Sequence, residues 1–465
     1  MRRENVFGVI VCFVGVISSL SAVTFTVTKT TDTGAQGELR WAIKQSNKTV
    51  GPNTINFHIP GAGPFTIQPV KDLPFITRRV TINGYSQPGA SVNTLGNANG
   101  NNANLRIILS GSNYTEGNAY NGTGNGLIFV QGSGGSVVKG LVINGWVNTG
   151  IYLFKANNVS INGNYIGTNN IGTTQVANQA GIFIDTCNNT VIGTSANADR
   201  NIIAGSFFLF NASACIVPYR SHGTKIKNNY IGVDKTGTVA LGNSLAGVTC
   251  LGSSGTVIGG TTSAERNIIS GHTLLGLSLE SSSNNQVLGN YIGTDKTGTV
   301  ALGNLNFGLV LNGNGSAQST TNNMIKNNLI SGNRVGIKVG QAFALGSNGN
   351  IIRGNLIGTD ATGASALGNQ FGIIVNDNTN SIGGGTVQAR NIISGNIQGG
   401  VLLYGAASGN SIKGNYIGLN KAGNSPLANG YGIQSGAAGG MGAAGSNTIM
   451  NNLFGGGNSS TTLCV

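Results

Sequence analysis

The sequence predicts an all-β solenoid, a parallel β-helix closed by a short N-terminal helical cap, on three observations. The segment Asn164-Tyr165-Ile166-Gly167 returns as Asn229-Tyr230-Ile231-Gly232, Asn290-Tyr291-Ile292-Gly293, Asn355-Leu356-Ile357-Gly358 and Asn415-Tyr416-Ile417-Gly418. Its copies start roughly 60–65 residues apart, a period that marks a stacked array. A companion motif lies between them: Asn201-Ile202-Ile203, Asn267-Ile268-Ile269, Asn328-Leu329-Ile330 and Asn391-Ile392-Ile393. Finally, Gly supplies 77 of 465 residues beside a hydrophobic fraction of 39%. A disordered Gly-rich chain lacks that apolar content, so the glycines here punctuate many short strands.

The true coil is half of the long repeat. Met324-Ile325-Lys326, Ile351-Ile352-Arg353, Ser381-Ile382-Gly383 and Ser411-Ile412-Lys413 recur at half-repeat intervals, and one coil holds three apolar runs such as Met324-Ile325, Leu329-Ile330 and Gly336-Ile337-Lys338-Val339. Three strands per coil, each pairing in parallel with the next coil, send alternate residues into columns of Ile, Val and Leu. About ten coils fit after residue 124, a rod of roughly 50 Å at ~4.8 Å per coil. Asn164, Asn229, Asn290, Asn355 and Asn415 suit a ladder of side-chain amides along the axis. Only 8% of residues are charged, so Asn, Ser, Thr and Gly must cover most of the exterior.

In chain order, residues 1–22 read as a signal peptide. Arg2 and Arg3 precede an apolar core at residues 6–17, and Ser19-Leu20-Ser21-Ala22 offers small residues for cleavage. That signal implies a secreted or cell-surface protein, and nothing later in the sequence reads as a transmembrane segment. Residues 23–123 read as a cap and the first irregular coils, and residues 124–465 as the regular array. Within the cap, Thr24 to Thr28 alternates as a strand, and Leu39, Ala42 and Ile43 share one helical face; such a lid covers the open end of a solenoid. Strand-like runs follow at residues 54–59, 64–69 and 79–83, and the Asn-rich stretch 93–104 reads as a polar surface loop. Cys187 and Cys250 lie two coils apart, beyond the ~7 Å Cα limit for a disulfide. Cys215 and Cys250 sit in apolar runs, as small core residues do.

The segment from Val27-Thr28 through Leu39-Arg40-Trp41-Ala42-Ile43, with Thr54-Ile55-Asn56-Phe57 and Gly61-Ala62-Gly63-Pro64, resembles the start of bacterial exported right-handed β-helix proteins carrying a CSLREA-type N-terminal segment. Gly358-Thr359-Asp360-Ala361-Thr362-Gly363 and Arg390-Asn391-Ile392-Ile393-Ser394-Gly395 are similar to that family's repeats. The resemblance implies a right-handed helix and export. It implies no single activity, since the architecture is shared with lyases, epimerases, adhesins and phage tail proteins.

Two recurring loops carry the candidate site residues. Asp234, Asp295 and Asp360 recur one long repeat apart, about 10 Å in space. Asn169 and Asn420 stand at the matching positions, which favours turn closure over catalysis. Arg200, Arg266 and Arg390 form a row able to grip an anionic polymer, but the favoured reading is structural, local pairing with Asp199 or Glu265 and backbone carbonyls that holds one loop shape. His58, His222 and His272 stand in no motif, and only His222, near Tyr219 and Arg220, has site-like neighbours. No catalytic set is legible, no cofactor is implied, and no paired Cys or His spacing suggests a metal. A formal net charge of +13 suits an anionic polysaccharide or cell-surface glycan as partner. Lys and Arg are spread singly without aromatic platforms, which disfavours nucleic acid. The expectation is therefore an exported, non-catalytic rod that binds surface glycans or mediates attachment. The alternative is a polysaccharide-active enzyme (lyase, epimerase or hydrolase) on acidic glycans.

Overall fold

A computed structural model describes residues 22–117, 122–205, 214–313, 319–340, 346–405, 407–436 and 445–456. The signal-peptide reading of residues 1–22 falls almost wholly outside them, as does Cys464. The described strands form three parallel sheets of 14, 13 and 11 strands, each strand pairing with its counterpart in the next coil. The chain is a parallel β-helix.

Register carries the sequence motifs directly into columns. Strands of the second sheet align Tyr165 with Ile202, Ile202 with Tyr230, Tyr230 with Ile268 and Ile268 with Tyr291. The column continues through Leu329, Leu356 and Ile392 to Tyr416. These residues face outward. The alternate column, Ile166, Ile203, Ile231, Ile269, Ile292, Ile330, Ile357, Ile393 and Ile417, is fully buried in the main core. One Ile over another repeats the same shape at every level, so the core packs without a register choice.

The two Asn motifs prove to be one position in successive coils. Asn164, Asn201, Asn229, Asn267, Asn290, Asn328, Asn355, Asn391, Asn415 and Asn452 make a continuous ladder in which each Nδ2 donates to the next Oδ1 at 2.8–3.3 Å. A second corner stacks Asn304, Asn333, Asn369, Asn396 and Asn429. A third stacks Asn285, Asn323, Asn350, Asn380, Asn410 and Asn447. An amide can donate and accept along the axis while also bonding its own turn, which explains why Asn and not Asp or Gln recurs at the corners. The Gly that closes each motif has its own steric reason. Gly293 has φ +89° and Gly358 φ +88°, and a carbonyl of the coil above (Ser331, Ser394) lies where a Cβ would stand.

His272 occupies the second corner where its neighbours have Asn. Its Nδ1 accepts from the Asn243 backbone N–H at 3.1 Å, and its backbone N–H donates to Asn304 Oδ1 at 3.2 Å. The proton therefore sits on Nε2, which has no hydrogen-bond partner. Complete burial pushes its pKa down to about 4, from about 6.5 for a free His. The unfolded chain thus takes up the proton first as pH falls. This contribution is intact above about pH 6.5 and is lost as pH drops through 4, a change on the order of 3 kcal/mol. His272→Asn is expected to restore the amide ladder and flatten that dependence. Urea melts of both proteins at pH 7 and pH 4.5 check it.

The cap forms as the sequence predicts. A helix spans Leu39–Lys48 and buries Leu39, Ala42 and Ile43 against the first coils. Arg40 is buried as well, paired to Asp32 at 2.6 Å and donating to the carbonyls of Lys71 and Asp72. Cys187, Cys215 and Cys250 are free and buried. No helix among the described residues is long and apolar enough to cross a membrane.

One expectation is corrected. The 93–104 stretch is a loop, but not a free surface excursion: Asn93, Asn97 and Asn101 are buried. It lies against the outer face of the second sheet, where Asn97 Nδ2 donates to the carbonyl of Arg266 at 2.8 Å. Its partners are far off in sequence, so no local pattern announces them.

Candidate functional site

A trough runs along the outside of the second sheet. Its floor is the outward column Tyr291, Leu329, Leu356, Ile392 and Tyr416. One wall is built by loops entering the sheet, the short 3-10 turns Ser263–Glu265 and Val387–Ala389 that deliver Arg266 and Arg390. The other is built by the loops leaving it, which present Lys296, Ala361 and Lys421 at equivalent positions. Arg266 and Arg390 stand four coils apart, about 19 Å.

Each Arg places its guanidinium over the Tyr of the next coil. Arg266 sits 3.9 Å from the Tyr291 ring centroid and Arg390 3.9 Å from that of Tyr416. Their Nε groups donate to the carbonyls of Gly289 and Gly414 at 3.3 and 3.4 Å. Stacking and that one bond fix the guanidinium plane. Among the described residues the terminal nitrogens of both make no further hydrogen bond, which leaves them to meet a ligand. The local pairing with acids is not what holds these arginines. Glu265 bonds Lys227 on the neighbouring coil at 2.6 Å, and Asp199 accepts from Thr194.

Arg200 differs from its two siblings. It is fully buried, stacks on Tyr230 at 5.0 Å, and donates to Asn228 Oδ1 and to the carbonyls of Leu95, Gly96 and Gly100. The 93–104 loop thus consumes this copy of the Arg-Tyr pair.

Between Arg266 and Arg390 the trough opens into a hollow of about 390 Å³, a volume within the range of ligand pockets. Three departures from the repeat produce it. The chain enters Asn328 through a tight turn at Asn327 (φ +57°), with no Arg-bearing loop. Leu356 replaces the outward Tyr, and Ala361 replaces the Lys. Each substitution is smaller than its counterpart, and all three border the same space. Tyr291, Leu329, Leu356 and Ile392 give it an apolar base, while Arg266, Arg390 and Lys421 surround it. No Asp or Glu is among its lining residues. The departures were visible in the sequence as the one copy reading Asn-Leu-Ile-Gly, but only stacking shows that they coincide.

The recurring aspartates serve their own turns. Asp295 Oδ1 accepts from the Thr297 hydroxyl at 2.8 Å and from the backbone N–H groups of Thr299 and Val300 at 3.2 Å. Asp234 and Asp360 repeat the pattern. Burial opposes ionisation of Asp360, yet bonds from Thr362, Ser365 and Ala364 outweigh it and hold its pKa below the usual carboxylate range. Asn420 Oδ1 accepts from Asn424 and Ser425 in the same geometry. Asp295→Asn is therefore expected to change stability by less than about 1 kcal/mol, checked by urea denaturation.

His222 is joined to Ser254, at 2.7 Å, and Arg220 stacks on Tyr219; neither borders the trough. Among the described residues no three His, Cys, Asp or Glu side chains gather as a metal site.

No protein-family model matches the sequence, and no curated protein matches it. Among solved structures the chain is similar to the A-module of Azotobacter vinelandii mannuronan C-5 epimerase AlgE6. Identity is 14% and the TM-score 0.52, over 90% of this chain and 94% of that one. It is also similar to the periplasmic alginate epimerase AlgG, at 13% identity and a TM-score of 0.38 over 93% and 85% of the two chains. A mutant tailspike protein of E. coli bacteriophage HK620 in complex with pentasaccharide gives 12% identity and a TM-score of 0.40, over 90% and 63%. The first of these likenesses supports the parallel β-helix and, at 14% identity, leaves activity open.

Proposed function

We propose that this chain is an exported, non-catalytic rod of the kind its N-terminal segment resembles, and that it binds acidic surface glycans in the open trough. The supporting observation is the hollow over Leu356, with its apolar base and its ring of Arg266, Arg390 and Lys421. A sugar ring has an apolar face that packs on Tyr291, Leu356 and Ile392. A carboxylate on the same ring meets guanidinium groups already held in plane. Hydrolysis of a glycosidic bond needs two carboxyl groups about 5–9.5 Å apart, and the lining offers none.

Calorimetry against a panel of uronic-acid polymers tests the reading, with ultraviolet absorbance recording any unsaturated product. Saturable binding that weakens with salt, and no product, is expected. Appearance of product overturns the non-catalytic part. No binding to any polymer, even at low salt, overturns the glycan reading itself.

A further inference from the structure

The trough is one track of which the first part is already filled. Tyr165 and Tyr230 belong to the same outward column as Tyr291 and Tyr416, yet both are fully buried. What covers them is the 93–104 loop. Tyr165 donates its hydroxyl to Asn101 Oδ1 and Tyr230 donates to the carbonyl of Asn97. Arg200 donates to three further loop carbonyls, and the Asn101 backbone N–H donates to the carbonyl of Lys235 at 2.8 Å. The loop therefore runs along the axis, over three coil spacings or about 14 Å, and stops where Asn97 meets the Arg266 carbonyl. Arg200, Tyr165 and Tyr230 all find oxygen acceptors in the loop, the kind of group a glycan also offers.

We infer that this loop is an end stop, so that the trough binds a glycan by its terminus and not along the middle of the chain. The inference rests on the proposed glycan binding. A polymer seated over Leu356 and carried toward the N-terminal coils meets the loop at Asn97. Expelling the loop would break the bonds of Arg200 to the carbonyls of Leu95, Gly96 and Gly100 and those of Tyr165 and Tyr230 to Asn101 and Asn97, and their joint loss keeps the loop in place. Asn97 and Asn101 are thus specificity-determining residues: they fix where the ligand begins. Arg266, whose carbonyl holds Asn97 while its guanidinium faces the open side, marks the first position.

Stoichiometry tests this. Linear uronic-acid chains of increasing, defined length are mixed with the protein, and the number of rods per chain is read by analytical ultracentrifugation. An end stop gives one rod per chain at every length. A number that grows with length overturns the inference and leaves glycan binding standing, whereas no complex at any length counts against glycan binding instead. A second measurement uses a variant in which residues 95–100 are replaced by two glycines, its fold checked by circular dichroism. It is expected to bind several rods per long chain and to gain about tenfold in affinity for long oligomers, as Arg200 and Tyr230 become available. An unchanged pattern in the folded variant contradicts the inference, and the wild-type stoichiometry decides alone if the variant does not fold.

Discussion

The double substitution Leu356→Tyr with Ala361→Lys is expected to abolish glycan binding without unfolding the protein. Tyr291 and Tyr416 occupy the position of Leu356 in sibling coils, and Lys296 and Lys421 that of Ala361. The backbone already accepts both side chains, so the two additions rebuild the ordinary repeat and fill the hollow. Binding lost with an unchanged melting temperature separates occupancy from stability. A milder change, Arg390→Ala, removes one charge-assisted contact and should weaken binding about tenfold. Should the double variant bind uronic-acid polymers as tightly as the parent, the hollow is not where they sit.

The second large effect concerns the rod itself. Asn328→Ala is expected to cost about 4 kcal/mol, because one truncation leaves several buried groups without partners. Asn328 Nδ2 donates to the carbonyl of Val287 at 2.9 Å and to Asn355 Oδ1 at 3.0 Å. Its Oδ1 accepts from the Asn290 backbone N–H at 2.9 Å. Asn328→Asp should fare no better, since an ionised carboxylate cannot donate to either acceptor. In an array whose coils contact only their neighbours, hydrogen exchange should report the loss within the coils next to Asn328 first. An effect below about 1 kcal/mol would mean that the ladder follows the fold and does not hold it.

How much of this was legible follows from distance along the chain. The columns of Ile, the amide ladder and the capping helix announce themselves through repetition or local periodicity. Their reason is local too, since each coil asks the same of its residues. The turn role of Asp295 was readable from Asn169 and Asn420 at equivalent positions. What the sequence hid depends on partners remote in number. Asn97 reaches Arg266 across 169 residues, and Glu265 finds Lys227 on the neighbouring coil in place of adjacent Arg266. The row Arg200, Arg266 and Arg390 looked uniform, yet one member is consumed by the chain and two face the trough. The hollow was written as three small departures, at Asn327, Leu356 and Ala361, whose coincidence needed the register.

The most direct measurement is a crystal structure of the protein with a linear uronic-acid oligomer. The account predicts a sugar ring over Leu356, a carboxylate on the free nitrogens of Arg266 or Arg390, and the 93–104 loop still seated on Arg200. An oligomer lying on another face, with Arg266 and Arg390 bare, would contradict it.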